Sequence, residues 1–240
     1  MTFVFLDPFH TRQDGHILIS AEQASAFAKD IAGDFNPIHN PDARRFCVPG
    51  DLLFALVLNR YGLSEKMSVR FSGMVGANVP LVFPKVDEGV IDIKDTADKA
   101  YLHLEHSGET SQDADLIESL TRAYVAFSGH NFPFIMVPLM EKHQVMFNPK
   151  RPMVIYESMA FELDSLDIKQ PTLELADTTL DVKGKRGDAL FRFNIMADGQ
   201  LVGTGTKKLI VSGLMPYDPE AMAALVEEFN RLKEEHKASR

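Results

Sequence analysis

The stretch DLLFALVLNRY, residues 51–61, limits the fold of this 240-residue chain more than any other. Pro49-Gly50 precedes it and Gly62 follows it, and such breakers bracket a helix of about three turns. Leu52, Leu53, Ala55, Leu56 and Leu58 fall on nearly every side of that helix. A helix without a polar face is stable only when enclosed, so all five residues are expected in the core. The enclosure has to come from strands elsewhere in the chain.

Two sets of strands are on offer. MSVRFSGMV (67–75), VPLVFP (79–84), GVIDIKD (89–95) and KAYLHLEHSG (99–108) carry β-branched and aromatic residues with breakers between them. The final third reads MVIYESMAFEL (153–163), TLELADTTLDV (172–182), DALFRFNIMA (188–197) and QLVGTGTKKLIVSG (200–213). Phe191, Phe193 and Ile195 alternate there with Arg192, Asn194 and Met196, the period of a half-buried strand. Asp198-Gly199 marks a hairpin turn between the last two.

Helices separate these sets. Ser20 is a good N-cap for residues 21–33, AEQASAFAKDIAG, with Ala24, Phe27, Ala28 and Ile31 on one face and Gly33 as the stop. Residues 113–129 carry Leu116, Leu120, Ala123, Tyr124 and Phe127 at helical spacing. A tail helix packs through Met222, Leu225, Val226, Phe229 and Leu232. The opening FVFLDPF and HILIS read as extended pieces, and residues 130–152 fit no single pattern. Helix then antiparallel strands, twice over, supports an α+β class.

Between the first two helices lies GDFNPIH, residues 33–39. A carboxylate and an imidazole five positions apart would point in different directions from a helix, and Asn36 before Pro37 is pushed toward extended backbone. The segment is therefore a turn, where Asp34 and His39 can converge with Asn36 holding the turn through its side chain. A carboxylate with an imidazole is a pair that can take a proton from one group and deliver one to another.

Composition narrows the field. A net charge of −9 disfavours a general nucleic-acid role and gives no long-range steering toward anionic ligands such as coenzyme A. Arg44-Arg45, Lys183-Gly184-Lys185-Arg186 and Lys207-Lys208 read as solvated turns or strand edges. One cysteine, Cys47, excludes an internal disulfide framework and reads as a small buried residue. No stretch approaches a membrane span, and the N-terminus lacks the basic start of a signal peptide, so a cytoplasmic protein without membrane association is expected. The 11 methionines read as adaptable packing, and His103 and His106 sit on opposite strand faces, which suits no metal. His16, His130 and His143 are isolated and receive no role.

Phe27 followed by Gly33-Asp34-Phe35-Asn36-Pro37-Ile38-His39 resembles the motif of the MaoC-like (R)-specific enoyl-CoA hydratases and dehydratases. The resemblance covers residues 27–62; taken whole, the chain resembles a proteobacterial family of unknown function. It implies a hotdog fold, here a double hotdog in one chain: residues 1–112 as a first half carrying the motif, and 113–240 as a second half ending in the tail helix. It implies that Asp34 and His39 activate one water against a 2-enoyl thioester. Asn36, Gly50 and Asp51 would line the substrate, with backbone N–H groups at the start of the 51–61 helix facing the thioester oxygen.

No cofactor and no metal are implied. The partners implied are an acyl-CoA or other acyl thioester and, as an allowed assembly, a second copy in a homodimer. Only nine residues separate His39 from Pro49, fewer than the family usually has, and the charge of Asp51 at the helix start would repel a developing oxyanion. Two other readings stand beside hydration: an acyl-thioester-binding protein without turnover, and a thioesterase using Asp51. No second copy of the motif occurs in residues 153–212, so one site per chain, built mainly from the first half, is expected.

Overall fold

The computed structural model describes residues 4–85, 89–149 and 152–239. Phe3 of the opening run and Lys150-Arg151 of the unclassified stretch lie outside them. The helix at the centre, α2 (Gly50–Tyr61), follows α1 (Ala21–Ala26) and is buried continuously from Asp51 to Leu58. All five residues expected in the core are at most 3% exposed. Phe54 meets Tyr124 of α3 (Ala114–Gly129) edge-on, with ring centroids 5.0 Å apart.

The enclosing strands form one antiparallel sheet. In chain order they are β1 (Thr11–Gln13), β2 (His16–Leu18), β3 (Leu63–Phe71), β4 (Leu81–Val82), β5 (Val90–Asp95) and β6 (Ala100–Ser111). After α3 and the short helices α4 (Asn131–Phe134) and α5 (Met136–Lys142) come β7 (Val145–Met146), β8 (Met153–Leu163), β9 (Thr172–Lys183), β10 (Arg186–Ala197), β11 (Gln200–Ser212) and β12 (Met215–Pro216). The last element is α6 (Pro219–Ala238).

Ten strands pair in the order β1-β2-β4-β5-β6-β3-β8-β11-β10-β9, and β7 with β12 makes a separate ribbon. The seam between the halves is the β3–β8 ladder, where Lys66 lies opposite Glu162 and Arg70 opposite Ser158. Register shifts at Ser64/Lys66, Ile93/Lys94, Arg192/Phe193, Ile195/Met196 and Lys208/Leu209 mark bulges, each of which bends its strand. A bent antiparallel sheet wrapped around buried helices, repeated in two halves, is the double-hotdog arrangement. It does not close into a barrel: β1 and β9 remain its edges.

Two apolar clusters hold the layers together. The larger joins α2, α3, β3, β5 and β6 to Phe161 and Phe193; the smaller places α5 and the start of α6 over Phe191, Leu209 and Val211. The Asp198-Gly199 hairpin has both residues at positive φ, 49° and 74°, as a tight primed turn requires.

Two expectations need correction. The opening run is a two-turn 3-10 helix, Val4–Phe9, rather than an extended piece, and Leu6 and Phe9 are buried in it against the first core. Residues 130–149 resolve into α4, α5 and β7, elements too short for a periodic signal. Among the described residues no helix is long and apolar enough to cross a membrane.

Candidate active site

The motif turn begins where the first helix stops. Ser20 caps α1 in a capping box with Gln23, and the helix widens into a π turn over Phe27–Ala32 before ending at Gly33. Gly33 is left-handed, φ 65°, and no atom lies within 4 Å of where its Cβ would stand. Gly33→Ala should therefore cost backbone strain alone, about 1–2 kcal/mol, and lower the melting temperature by roughly 2–4 °C per kcal/mol. An unchanged melting temperature would mean that the turn relaxes without the left-handed residue.

Beyond Gly33 the side chains do the shaping. Asp34 Oδ1 accepts from Asn36 N–H at 2.8 Å, and Asn36 Oδ1 accepts from Ile38 N–H at 3.2 Å. These two bonds fold the chain so that Asp34 Oδ2 faces His39 Nε2 at 3.6 Å. Asn36 holds the turn as its residue type suggested. His39 Nδ1 lies 2.7 Å from the carbonyl oxygen of Cys47. A carbonyl only accepts, so Nδ1 carries a proton, and Nε2 is the ring nitrogen that faces Asp34. Asp34 is about one-third exposed and His39 12%, the exposure of groups in a cleft.

That cleft is a cavity of about 720 Å³ lined by Asp34, Asn36, His39, Gly50 and Asp51 together. The rest of its wall is largely apolar, with Phe132, Met136, Leu225, Phe229 and Leu232 among the residues. Gly50 is required by close approach: a Cβ there would stand 2.9 Å from the Tyr156 ring and 3.1 Å from that of Phe71. Phe35, inside the motif, lines the cavity as well. It is buried and meets Phe229 and His236 of α6 edge-on, at 5.8 and 5.7 Å between centroids, while His236 pairs with Asp30 at 2.6 Å.

The second half contributes more than a lid of apolar side chains. Lys207 of β11, expected as a solvated strand residue, is 2% exposed. Its Nζ donates to Ser128 Oγ of α3, lies 3.7 Å from Asp51 Oδ1 and rests 4.0 Å over the Tyr156 ring. Ser128 in turn donates to Asp51 Oδ2, and the hydroxyls of Tyr124 and Tyr156 bond to each other. The period of the strand explains the burial: Gly203, Gly205, Lys207, Leu209 and Val211 share the inward face of β11.

Burial governs the ionisation of this cluster. It raises Asp51 above the ordinary carboxylate value and lowers Lys207, and their mutual attraction opposes both shifts. Tyr124 and Tyr156 are held well above the usual phenol value, again first by burial. Cys47 also lines the cavity, half-buried, with its thiol pushed up to about 11 by burial, so it is no ready nucleophile at neutral pH.

The remaining histidines stay outside. His103 pairs with Asp92 and Glu105, His106 lies 3.0 Å from Ser64 Oγ, and among the described residues no cluster of three or more His, Cys, Asp or Glu could hold a metal.

Comparison with known proteins gives a family and a set of structures. A family model described as "Protein of unknown function (DUF3581)" matches residues 4–220. A search of curated proteins found no match. Among solved structures, a conserved protein of unknown function with hot dog fold from Alicyclobacillus acidocaldarius is 10% identical, with 89% of this chain and 99% of that one covered and a TM-score of 0.44. The acyl-CoA thioesterase II TesB2 from Mycobacterium marinum is 11% identical over 71% of this chain and 91% of that one, TM-score 0.41. A MaoC-like dehydratase is 11% identical over 84% and 97%, TM-score 0.39.

Proposed function

We propose, for a chain that belongs to the DUF3581 family of proteins of unknown function, that this cavity adds water to, or removes it from, the double bond of a 2-enoyl thioester. The observation that carries the reading is Asp34 Oδ2 facing His39 Nε2 at 3.6 Å inside one cavity. That gap is too long for a direct hydrogen bond and suits one water held about 2.8 Å from each group. His39, with Nδ1 committed to the Cys47 carbonyl, has the free lone pair to take the water's proton as its oxygen bonds to C3. The electron pair of the double bond moves to C2 and into the thioester oxygen. The proton then passes through the His39–Asp34 pair to C2, which restores both groups.

Charge on the thioester oxygen needs donors. The N–H groups of Leu52 and Leu53 donate to the Pro49 carbonyl, which leaves those of Gly50 and Asp51 at the start of α2, and Pro49 offers no side-chain cap. The charge of Asp51 would oppose an oxyanion there, but Ser128 and Lys207 engage that carboxylate. The same engagement weighs against a thioesterase that needs Asp51 free to act. The apolar wall suits an acyl chain.

The test is hydration of crotonyl-CoA and of longer trans-2-enoyl-CoAs, followed by loss of enoyl absorbance, with thiol release measured on the same sample. Hydration predicts falling absorbance without free thiol. Free thiol as the first product would replace the reading with hydrolysis. Acyl-CoA binding without any turnover would make the protein a binding module.

A further inference from the structure

The cavity meets solvent beside the motif turn. Of the residues lining it, Pro37, Ser72, Met74 and Glu228 are exposed, which sets its mouth between that turn, the chain after β3, and α6. Ile38 and Val75, the neighbours of Pro37 and Met74, both accept backbone hydrogen bonds from the chain that leads into α2. Cys47 N–H donates to the Ile38 carbonyl at 3.0 Å, and Val48 N–H to that of Val75 at 2.9 Å. The segment between His39 and Cys47 is therefore a loop whose neck lies at the mouth.

Two tight turns build this loop. Ala43 N–H donates to the Asn40 carbonyl at 3.0 Å, and Phe46 N–H to the Ala43 carbonyl at 3.1 Å. Arg44 and Arg45 occupy the two central positions of the second turn, and both are exposed. Phe46 packs against the larger apolar cluster and so fixes the turn in place. Acidic side chains outnumber basic ones in this chain, 34 to 25, and Arg122, Arg186 and Arg192 each meet a carboxylate, at 2.7, 2.9 and 2.9 Å. Among the described residues neither Arg44 nor Arg45 has an ion pair or a hydrogen-bond partner, although Asp42 stands in the same loop.

A guanidinium group matches phosphate with two parallel N–H···O bonds, and two such groups side by side can hold a polyanion. We infer that Arg44 and Arg45 bind the phosphates of a coenzyme A nucleotide, so that the substrate class of the cavity is an acyl-CoA. The inference rests on the reading of the cavity as an acyl-thioester site. The spacing allows it: Arg45 is two residues from Cys47, at most about 7 Å along the chain. The Cys47 carbonyl in turn lies 2.7 Å from His39 Nδ1. The pantetheine arm between sulfur and pyrophosphate is longer than that step, so a thioester at His39 can set its phosphates on the turn. The footprint is two cations on a chain of net charge −9, which fits one small polyanion and not the wider surface of an acylated carrier protein.

The experiment is calorimetric binding of decanoyl-CoA, of S-decanoyl-pantetheine, which lacks every phosphate, and of a decanoylated acyl carrier protein. It compares the wild type with Arg44→Ala/Arg45→Ala, at two exposed positions without partners where the fold loses no contact. Should that variant melt lower than the wild type, Arg44→Gln/Arg45→Gln, which keeps the side-chain stems, takes its place. The readout is the ratio of the two small-ligand affinities, which cancels any loss common to both. The wild type should favour decanoyl-CoA over S-decanoyl-pantetheine roughly 5- to 30-fold, and in the variant the two should bind alike. Higher ionic strength should erode the wild-type preference.

Equal binding of both small ligands by the wild type would overturn the subsite while the acyl-thioester reading stands. A preference that survives in the variant would place the phosphate contacts on other residues and overturn it as well. Tighter binding of the acylated carrier protein than of decanoyl-CoA, lost in the variant, would give the arginines to a protein partner and overturn the nucleotide assignment. If the wild type binds none of the three, the acyl-thioester reading itself falls and the subsite falls with it.

Discussion

Asp34→Asn and His39→Gln should each lower enoyl-thioester turnover by roughly 10²–10⁴-fold, the range lost with a positioned acid or base. Both replacements keep the local bonds. Asparagine still offers an oxygen to Asn36 N–H, and glutamine can still donate to the Cys47 carbonyl. What each removes is the ability to exchange a proton with one shared water. Because the two act as a unit, the double variant should lose far less than the product of the single losses. Melting temperatures should hardly move, since neither side chain belongs to an apolar cluster. Full turnover in Asp34→Asn would place the base elsewhere. Strong destabilisation with normal turnover per folded molecule would make the turn structural.

Lys207→Met should be the most destabilising single change at the site, at about 3–5 kcal/mol, because it leaves the Asp51 charge buried without its cation. For a chain of this size that is a fall of roughly 6–20 °C in melting temperature. Adding Asp51→Leu should recover most of it, since apolar side chains can replace a buried pair at little net cost. The pH dependence supplies a second check. Burial raises Asp51 in the folded chain, so the folded state holds that proton more tightly than the unfolded state does. A group of that kind loses stability as pH rises, and the lysine variant should therefore regain stability on going from neutral toward acid. Equal unfolding midpoints for Lys207→Met and the double variant would show that the charge pair does not set the stability here.

The residues legible in the sequence are those brought together by local chain geometry. Asp34, Asn36 and His39 sit in one turn, and the bonds that fold it run between residues two apart. Gly50 and Asp51 follow from the helix start, and the burial of α2 follows from its lack of a polar face. Lys207 was legible in part. The alternation along QLVGTGTKKLIVSG puts it in phase with Leu209 and Val211, but its charge argued for solvent, and period outranks charge when a carboxylate waits inside. Ser128 lies one turn beyond Tyr124 on the packing face of α3, where a serine carries no signal by itself. What brings it to Asp51 is contact between α2 and α3, and what brings Tyr156 and Lys207 is the β3–β8 seam. Pairings across such distances leave no pattern within either segment. The expectation of a site built mainly from the first half therefore missed Ser128, Tyr156 and Lys207.

The ring of Phe35, between Asp34 and Asn36 in the chain, packs edge-on against Phe229 and His236. His236 is 206 residues away from its partner Asp30. The turn that carries Asp34 and His39 is thus synthesised about 200 residues before the helix that steadies it. At ordinary elongation rates of about 5–20 residues per second, roughly 10–40 s separate the two events. During that interval the nascent chain already holds Asp34 and His39 but lacks the aromatic buttress behind them. A ribosome-bound or C-terminally clipped product would carry every side chain of the motif and still lack these contacts from α6.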